Sequence, residues 1–249
     1  MMNFKDHFSG HASLYAQARP HYPDALFDWI AQTAPSRECA WDVGCGNGQA
    51  SIALAQRFER VIATDPSAQQ VGNAERHPRI DYRVESGEHT SIAEHGADAI
   101  TVAQALHWFD LPRFVEEVER VAKPGAVFAA WTYAGCNVTP QVDAVIAHLY
   151  DGVLGAYWPP ERKLVDEGYA SLALPFEALK APAFEMRMEW DAEQLLAYLS
   201  SWSAAQRYRA ATGNDAVAEI ADALRDVWGD PRQPRPVRWN LAMRAGRVG

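Results

Sequence analysis

The sequence is short of three things, and each shortage removes a class of explanation. Cysteine is scarce: Cys39, Cys45 and Cys136, with no C-x-x-C pair. An odd number without paired spacing is not a disulfide framework. The eight histidines are scattered as well, so no metal site is expected. Long apolar runs are missing. Spanning a bilayer takes about 20 such residues, and Met1 to Gly10 carries no apolar signal-peptide core. The expectation is a reducing, cytoplasmic setting with no membrane partner. Positive charge is also short, 23 Lys and Arg against 32 Asp and Glu, a net charge of -9. Phosphate backbones are bound by clustered Lys and Arg, so no nucleic-acid partner is expected. Only the tail is arginine-rich, with Arg232, Arg235, Arg238, Arg244 and Arg247 and no acid after Asp230. Its prolines and strand-like pattern read as a solvated edge, with an anionic partner as the other reading.

What is present is a chain of 249 residues, 48% hydrophobic, enough for a real core. It is organised around Trp41-Asp42-Val43-Gly44-Cys45-Gly46-Asn47-Gly48. An apolar run from Cys39 reads as a strand entering a glycine turn. The spacing of Ile52, Leu54, Ala55 and Phe58 is helical. A second strand, Val61 to Thr64, ends at Asp65. An acid at the tip of the second strand, ~20 residues beyond such a loop, is the usual partner of ribose hydroxyls. A nucleoside-containing ligand is therefore predicted here. The glycines are spaced G-x-G-x-G, not the G-x-G-x-x-G of a dinucleotide site, and Asp42 precedes them. A carboxylate there suits a cationic ligand better than a diphosphate. S-adenosylmethionine has the parts: adenosine, a sulfonium and an ammonium.

At these residues the sequence resembles the class I S-adenosylmethionine-dependent methyltransferases. Asp42 to Gly48 looks like their first motif and Asp65 like their second. The resemblance implies a Rossmann-like α/β fold with a seven-stranded doubly wound sheet, an N-terminal lid and a C-terminal helical cap. It also implies a single domain in three parts: lid helices over 1–38, a cofactor-binding core over 39–136, and a cap with the final antiparallel strands over 137–249. Tyr15, Arg19, Pro20, Tyr22 and Pro23 match a Tyr-x-x-x-Arg-Pro-x-Tyr-Pro segment that folds over the cofactor in small-molecule members. Gly87-Glu88 matches the pair that meets adenine, although Glu85 lies close by. The cofactor set implied is Tyr15, Arg19, Asp42, Gly44, Cys45, Gly46, Gly48, Asp65, Pro66, Gly87, Glu88, Gln104 and Ala105. The Ala105-Leu106-His107-Trp108 run is similar to methyltransferases of the trans-aconitate type.

Ligands in open α/β sheets lie beyond the carboxyl ends of the strands, so the run after the fourth strand should face the reacting methyl. His107 there is either a general base or a pocket-shaping residue. Further on, Ser67 to Arg76 reads as a helix. Asp24 and Asp110 read as helix caps, and Lys123-Pro124-Gly125 as a helix end. Pro140 to Tyr157 reads as one helix, and Phe184 to Trp190 alternates as a strand. Trp158, Trp202, Tyr208 and Arg209 could line a substrate pocket, with His107, Trp108, Trp202 and Arg209 as the substrate set.

The function read from this is methyl transfer to a small-molecule acceptor, a carboxylate being one option. Three rivals stay open. A methyltransferase acting on tRNA or protein is disfavoured by the acidic charge where RNA is concerned. A nicotinamide-dependent oxidoreductase is disfavoured by the glycine spacing and by the lack of Tyr-x-x-x-Lys after the fourth strand. A non-enzymatic binder of the cofactor or its product is the third. The acceptor and the oligomeric state are not read from the sequence.

Overall fold

The apolar runs that follow the glycine loop at regular intervals become buried parallel strands. The computed structural model describes residues 20–249. Tyr15 and Arg19, and with them most of the expected lid, lie outside the described residues. The strands are β1 (Cys39–Val43), β2 (Arg60–Thr64), β3 (Ile80–Arg83), β4 (Ala97–Ala103), β5 (Ala122–Thr132), β6 (Glu177–Ala178), β7 (Phe184–Trp190) and β8 (Arg235–Arg247). They form one sheet in the order β3-β2-β1-β4-β5-β8-β6, with β7 also paired to β8. β1 to β5 are parallel, and β8 runs antiparallel to β5. Strand order reverses between β1 and β4, which places the ligand crevice at their carboxyl ends.

Both faces of the sheet are covered, so successive residues of one strand enter different cores. Ala40, Val61, Ala99, Val127, Ala129 and Trp131 pack on one side. Trp41, Val43, Ile62, Ile100, Val102 and Phe128 pack on the other. Helix α1 (Asp24–Thr33) inserts Leu26, Phe27 and Ile30 into the first core. The described part of the expected lid is thus a fixed layer of the fold. Pro23, not Asp24, occupies the N-cap of α1, its φ of -70° already near helical and its ψ of 141° still extended. The freed Asp24 carboxylate pairs with Arg57 at 2.8 Å.

The other helices are α2 (Gln49–Ala55), α3 (Ala68–Gly72), α4 (Leu111–Val121), α5 (Pro140–Ala147), α6 (Arg162–Asp166), α7 (Ala192–Ser200), α8 (Ser203–Thr212) and α9 (Ala216–Trp228). α3 is shorter than the sequence suggests, because Gly72 and Asn73 close it. Asp110 precedes α4 but its side chain caps nothing; its N–H donates to Glu88 instead. Lys123-Pro124-Gly125 does not end the helix. It opens β5 as a bulge, with Ala122 opposite Ala97 and Val127 already opposite Ala99, and Gly125 takes φ +77°. The single helix expected over 140–157 changes winding twice after α5, to a π-turn at His148–Val153 and a 3-10 turn at Gly155–Tyr157. Gly152 and Gly155 fall in these turns, where the helical ladder is weakest.

β6 and β7 pair with successive stretches of β8, at 246–247 and 235–241. The gap between them holds Pro182, which has no N–H for a ladder. One strand position of the expected seven is therefore divided in two. α7, α8 and α9 are inserted between β7 and β8. α7 starts with a capping box in which Asp191 and Gln194 each accept the other's backbone N–H. Three of the five tail arginines are used internally. Arg235 donates to the Trp228 carbonyl and stacks on its ring. Arg244 donates to the Tyr169 carbonyl and Arg247 to that of Gly125. Among the described residues no helix is long and apolar enough to cross a membrane.

Candidate active site

Each glycine of the turn after β1 answers a different demand. Gly48 has φ +86°, and a Cβ there would sit 2.1 Å from the Tyr82 hydroxyl. A side chain would be strained and would also collide. At Gly44 a Cβ would lie 2.6 Å from that of Ala105, so this glycine lets the end of β4 close on the loop. A Cβ at Gly46 would meet nothing within 4 Å. That stretch of backbone faces open space, as a loop that receives a ligand must.

Two carboxylates hold this loop. Asp42 has no exposed surface. It accepts from the Ser51 hydroxyl at 2.6 Å and the Thr101 hydroxyl at 3.0 Å, tying α2 to β4. Burial raises its pKa to about 6, against the opposing pull of those two hydroxyls. Its recorded bonds go to the scaffold, so it orients the loop from beneath, while direct contact with an ammonium would require surface it does not have. Asp65 accepts from Gly46 N–H at 2.9 Å and from Ser67 N–H at 2.8 Å. These two bonds hold the carboxylate at the tip of β2, against the loop. The Cys45 N–H donates to the Thr64 carbonyl at 3.0 Å, joining the loop to β2. Burial pushes the Cys45 thiol well up, so it stays protonated. Pro66 follows Asp65 at the tip of β2.

On the β3 side, a Cβ at Gly87 would come 2.9 Å from Val43, which brings this turn against β1. Glu88 accepts the Asp110 N–H at 3.0 Å. Glu85 is engaged with both the amide and the hydroxyl of Ser91. The two acids that the sequence left in competition are thus separated by geometry, with Glu88 beside α4 and Glu85 turned to the next loop. Pro20 lies close by as well, its carbonyl accepting from Gln49 at the start of α2.

At the end of β4, Gln104 has φ +57°, a conformation that costs a non-glycine residue roughly 1–3 kcal/mol. Its amide donates to the Trp131 carbonyl, its side-chain nitrogen to Tyr133, and its Oε1 accepts the Thr132 hydroxyl. Ala105 then leads into a 3-10 turn, Leu106–Trp108. Nδ1 of His107 lies 2.9 Å from the Tyr169 hydroxyl. Burial, followed by the charge of Arg162, lowers its pKa to about 4. Trp108 packs on the imidazole at 4.6 Å and is 36% exposed.

Arg162 and Tyr169 stand beside His107, and the sequence reading did not single them out. Tyr169 is 62 positions from its partner. Nε of Arg162 donates to Tyr150 and Asp166, and Nη2 to the Ala134 carbonyl just past β5. Its guanidinium lies over Trp158 at 4.6 Å and Tyr150 at 5.2 Å. The expected substrate residues of the cap are placed elsewhere. Trp202 packs on Trp158, Tyr150 and Tyr198. Arg209 pairs with Asp215 at the junction of α8 and α9. The recorded contacts bring neither to His107; Trp202 backs the aromatic seat of Arg162.

An open glycine backbone, an acid at the tip of β2 and a second acid near β3 fit an adenosine-containing cation. The comparisons with known proteins agree. Residues 41–130 match a family model described as a methyltransferase domain. A Dictyostelium discoideum protein with a provisional methyltransferase name is 33% identical over 225 residues, covering 89% of this chain and 86% of that one. A Saccharomyces cerevisiae protein named as an S-adenosylmethionine-dependent methyltransferase is 31% identical over 128 residues, 48% of this chain and 44% of its own. A solved structure from Anaeromyxobacter dehalogenans, provisionally described as a type II methyltransferase, superposes with a TM-score of 0.88 at 51% identity, covering 92% of this chain and 98% of that one. On this fold, this loop and these relatives, the chain belongs to the class I S-adenosylmethionine-dependent methyltransferases.

Proposed function

We propose that the acceptor is a small molecule carrying a carboxylate, and that residues 39–136 hold S-adenosylmethionine while 137–249 complete the acceptor side. The observation that carries this reading is a buried imidazole just past β4 that feels the charge of Arg162, whose guanidinium is anchored on the Ala134 carbonyl just past β5. An alcohol or amine acceptor calls for a base with a pKa near the working pH. His107, lowered to about 4, is a poor one. A carboxylate is already ionised near neutral pH and needs no base. It is also the natural partner of a guanidinium, and Nη1 of Arg162 makes no recorded hydrogen bond among the described residues. The likeness of Tyr15 to Pro23 and of Ala105 to Trp108 to the trans-aconitate group supports the same class.

When bound, S-adenosylmethionine supplies an electrophilic methyl on a sulfonium. The chain's part is to bind, orient and exclude water. In this reading the backbone of Gly44, Cys45, Gly46 and Gly48 accompanies the methionine portion, with Asp42 bracing it from below. Asp65 and Pro66 take the ribose, and Gly87 with Glu88 the adenine. Gln104 and Ala105 flank the reacting centre. His107 and Trp108 line the acceptor.

The test is a panel of mono-, di- and tricarboxylic acids beside alcohols, amines and a tRNA pool, incubated with methyl-labelled S-adenosylmethionine and read by mass spectrometry. Methyl esters are expected. Arg162→Met should raise the acceptor KM by roughly tenfold or more, the worth of a charge-assisted hydrogen bond, with cofactor affinity unchanged by calorimetry. Labelling of alcohols, amines or tRNA alone would remove the carboxylate reading.

A further inference from the structure

The phenol of Tyr169 has no exposed surface, and its backbone is held in a conformation that a bulky residue rarely takes, φ +61°. Three bonds keep it there. Its N–H donates to the Leu164 carbonyl at 2.8 Å. Its own carbonyl accepts from Arg244 at 2.7 Å and, through its OH, the ring reaches His107 Nδ1 at 2.9 Å. Strain of this kind persists where the surroundings over-determine it, and it clusters at functional sites. The imidazole and phenol rings are nearly parallel, 29° apart at 6.0 Å. No other recorded hydrogen bond reaches the imidazole, so Nε2 is without a partner among the described residues.

The direction of the Tyr169–His107 bond decides what His107 presents to the acceptor. A phenol is a strong donor, and a neutral imidazole carries one acceptor nitrogen and one N–H. Nδ1 of His107, 2.9 Å from the hydroxyl, is the acceptor this geometry offers the phenol proton. The competing arrangement sends that proton to Thr132, which also lies beside the phenol, and puts the imidazole proton on Nδ1.

We infer that Tyr169 is a positioning residue: its hydroxyl donates to His107 Nδ1 and fixes the Nε2–H tautomer. His107 thereby becomes a hydrogen-bond donor toward the acceptor instead of a proton acceptor. The identity of the acceptor rests on the carboxylate reading above; the tautomer does not. A donor N–H beside the Arg162 guanidinium favours an oxygen anion and disfavours an ammonium or amide N–H at the same place, since donor would then face donor.

The experiment is a long-range proton–nitrogen correlation spectrum of the full-length, 15N-labelled protein, with the His107 signals assigned by their loss in His107→Gln. The groups facing the ring are Tyr169 and Arg162, with Asp166 behind the latter. At pH 7.5 a protonated Nε2 and a bare Nδ1 are expected, unchanged down to pH 5.5. Tyr169→Phe should release the ring to a mixture of tautomers and move its titration upward. A wild-type Nδ1–H, or a Tyr169→Phe spectrum identical to wild type, overturns the inference. Neither cofactor nor acceptor is present, so this failure is distinct from failure of the carboxylate reading, which the acceptor panel judges. Should Tyr169→Phe not fold, the wild-type spectrum decides alone. With an acceptor in hand, Tyr169→Phe should raise its KM by roughly tenfold while leaving kcat within a few-fold. His107→Gln, which keeps an N–H near Nε2, should retain more activity than His107→Ala; equal loss would sink the donor role.

Discussion

The two halves of the crevice are built by opposite means. On the cofactor side, Asp42, Gly44, Gly46, Gly48 and Asp65 sit within one strand-loop-helix-strand unit, with Asp65 accepting the Gly46 amide and Asp42 the Ser51 hydroxyl. On the acceptor side, His107 depends on Tyr169 and Arg162, which arrive from beyond β5 and are held by Arg244 of β8 and by the Ala134 carbonyl. The first half is built mostly within one short stretch of chain, braced by Thr101 and Ala105 at β4. The second exists only when distant parts of the chain have packed, so it is free to vary in chemistry while the first stays constant.

The strongest way to break the cofactor half is Gly48→Val. It combines φ +86° with a Cβ placed 2.1 Å from the Tyr82 hydroxyl. A loss of about 4 kcal/mol or more is expected, because strain and overpacking add, with cofactor binding abolished. Thermal unfolding and calorimetry check it. Preserved binding would mean that the loop tolerates what its geometry forbids.

A pH titration separates the halves next. His107 falls from 6.5 to about 4 on folding, so the folded protein binds fewer protons than the unfolded chain between those values. Its contribution is full above pH 6.5 and is lost as pH falls toward 4, about 3 kcal/mol for 2.5 pH units at 1.36 each. Asp42 rises from 3.8 to about 6. Its contribution is full below pH 3.8 and is lost as pH rises through 6, again about 3 kcal/mol. The two oppose each other and nearly cancel in wild type between pH 4 and 6. Relative to wild type, His107→Gln should therefore gain stability on acidification and Asp42→Asn should lose it, by denaturant unfolding at stepped pH. Two parallel difference curves would contradict the assignment.

Asp65→Ala removes the acceptor of the Gly46 and Ser67 amides and whatever it offers the ribose. A fall of about 2 kcal/mol in cofactor affinity, roughly thirtyfold, is expected by calorimetry. Arg162→Met should leave that affinity alone. Equal effects of the two would erase the division between halves. The smallest effect belongs to Arg209→Ala. Its ion pair with Asp215 is half exposed, at 52% and 38%, and such pairs contribute about 0–1 kcal/mol. No change in acceptor KM is expected; a clear rise would return Arg209 to the substrate site.

This division also explains what could be read in advance. β1, the glycine turn, β2 and Asp65 were legible because their partners lie within a few dozen positions, and the spacing itself carries the chemistry. The alternation of Phe184 to Trp190 gave β7 its bounds. Asp24 misplaced its helix start by one position, the N-cap being Pro23, while Asp110 marked the true start of α4 although its side chain makes no capping bond. Lys123-Pro124-Gly125 has the composition of a helix stop, but strand pairing with β4 absorbs it as a bulge. Tyr169 and Arg162 carried no local signal. Their place follows from a loop crossing back over the sheet, and the aromatic residues of the cap drew attention outward to Trp202 and Arg209 instead.

The long final strand has a consequence for biogenesis. β5 waits for its antiparallel partner until everything between Thr132 and Arg235 has been synthesised. During that interval its outer edge offers unpaired amides and carbonyls flanked by Val127, Phe128 and Trp131, a template for pairing with another nascent chain. When β8 does arrive it closes two registers at once, β5 along 242–247 and β7 along 235–241. Such non-local pairing makes the last step of assembly slow. A ribosome paused before Arg235 would therefore carry the whole cofactor loop already encoded, beside an edge that invites aggregation.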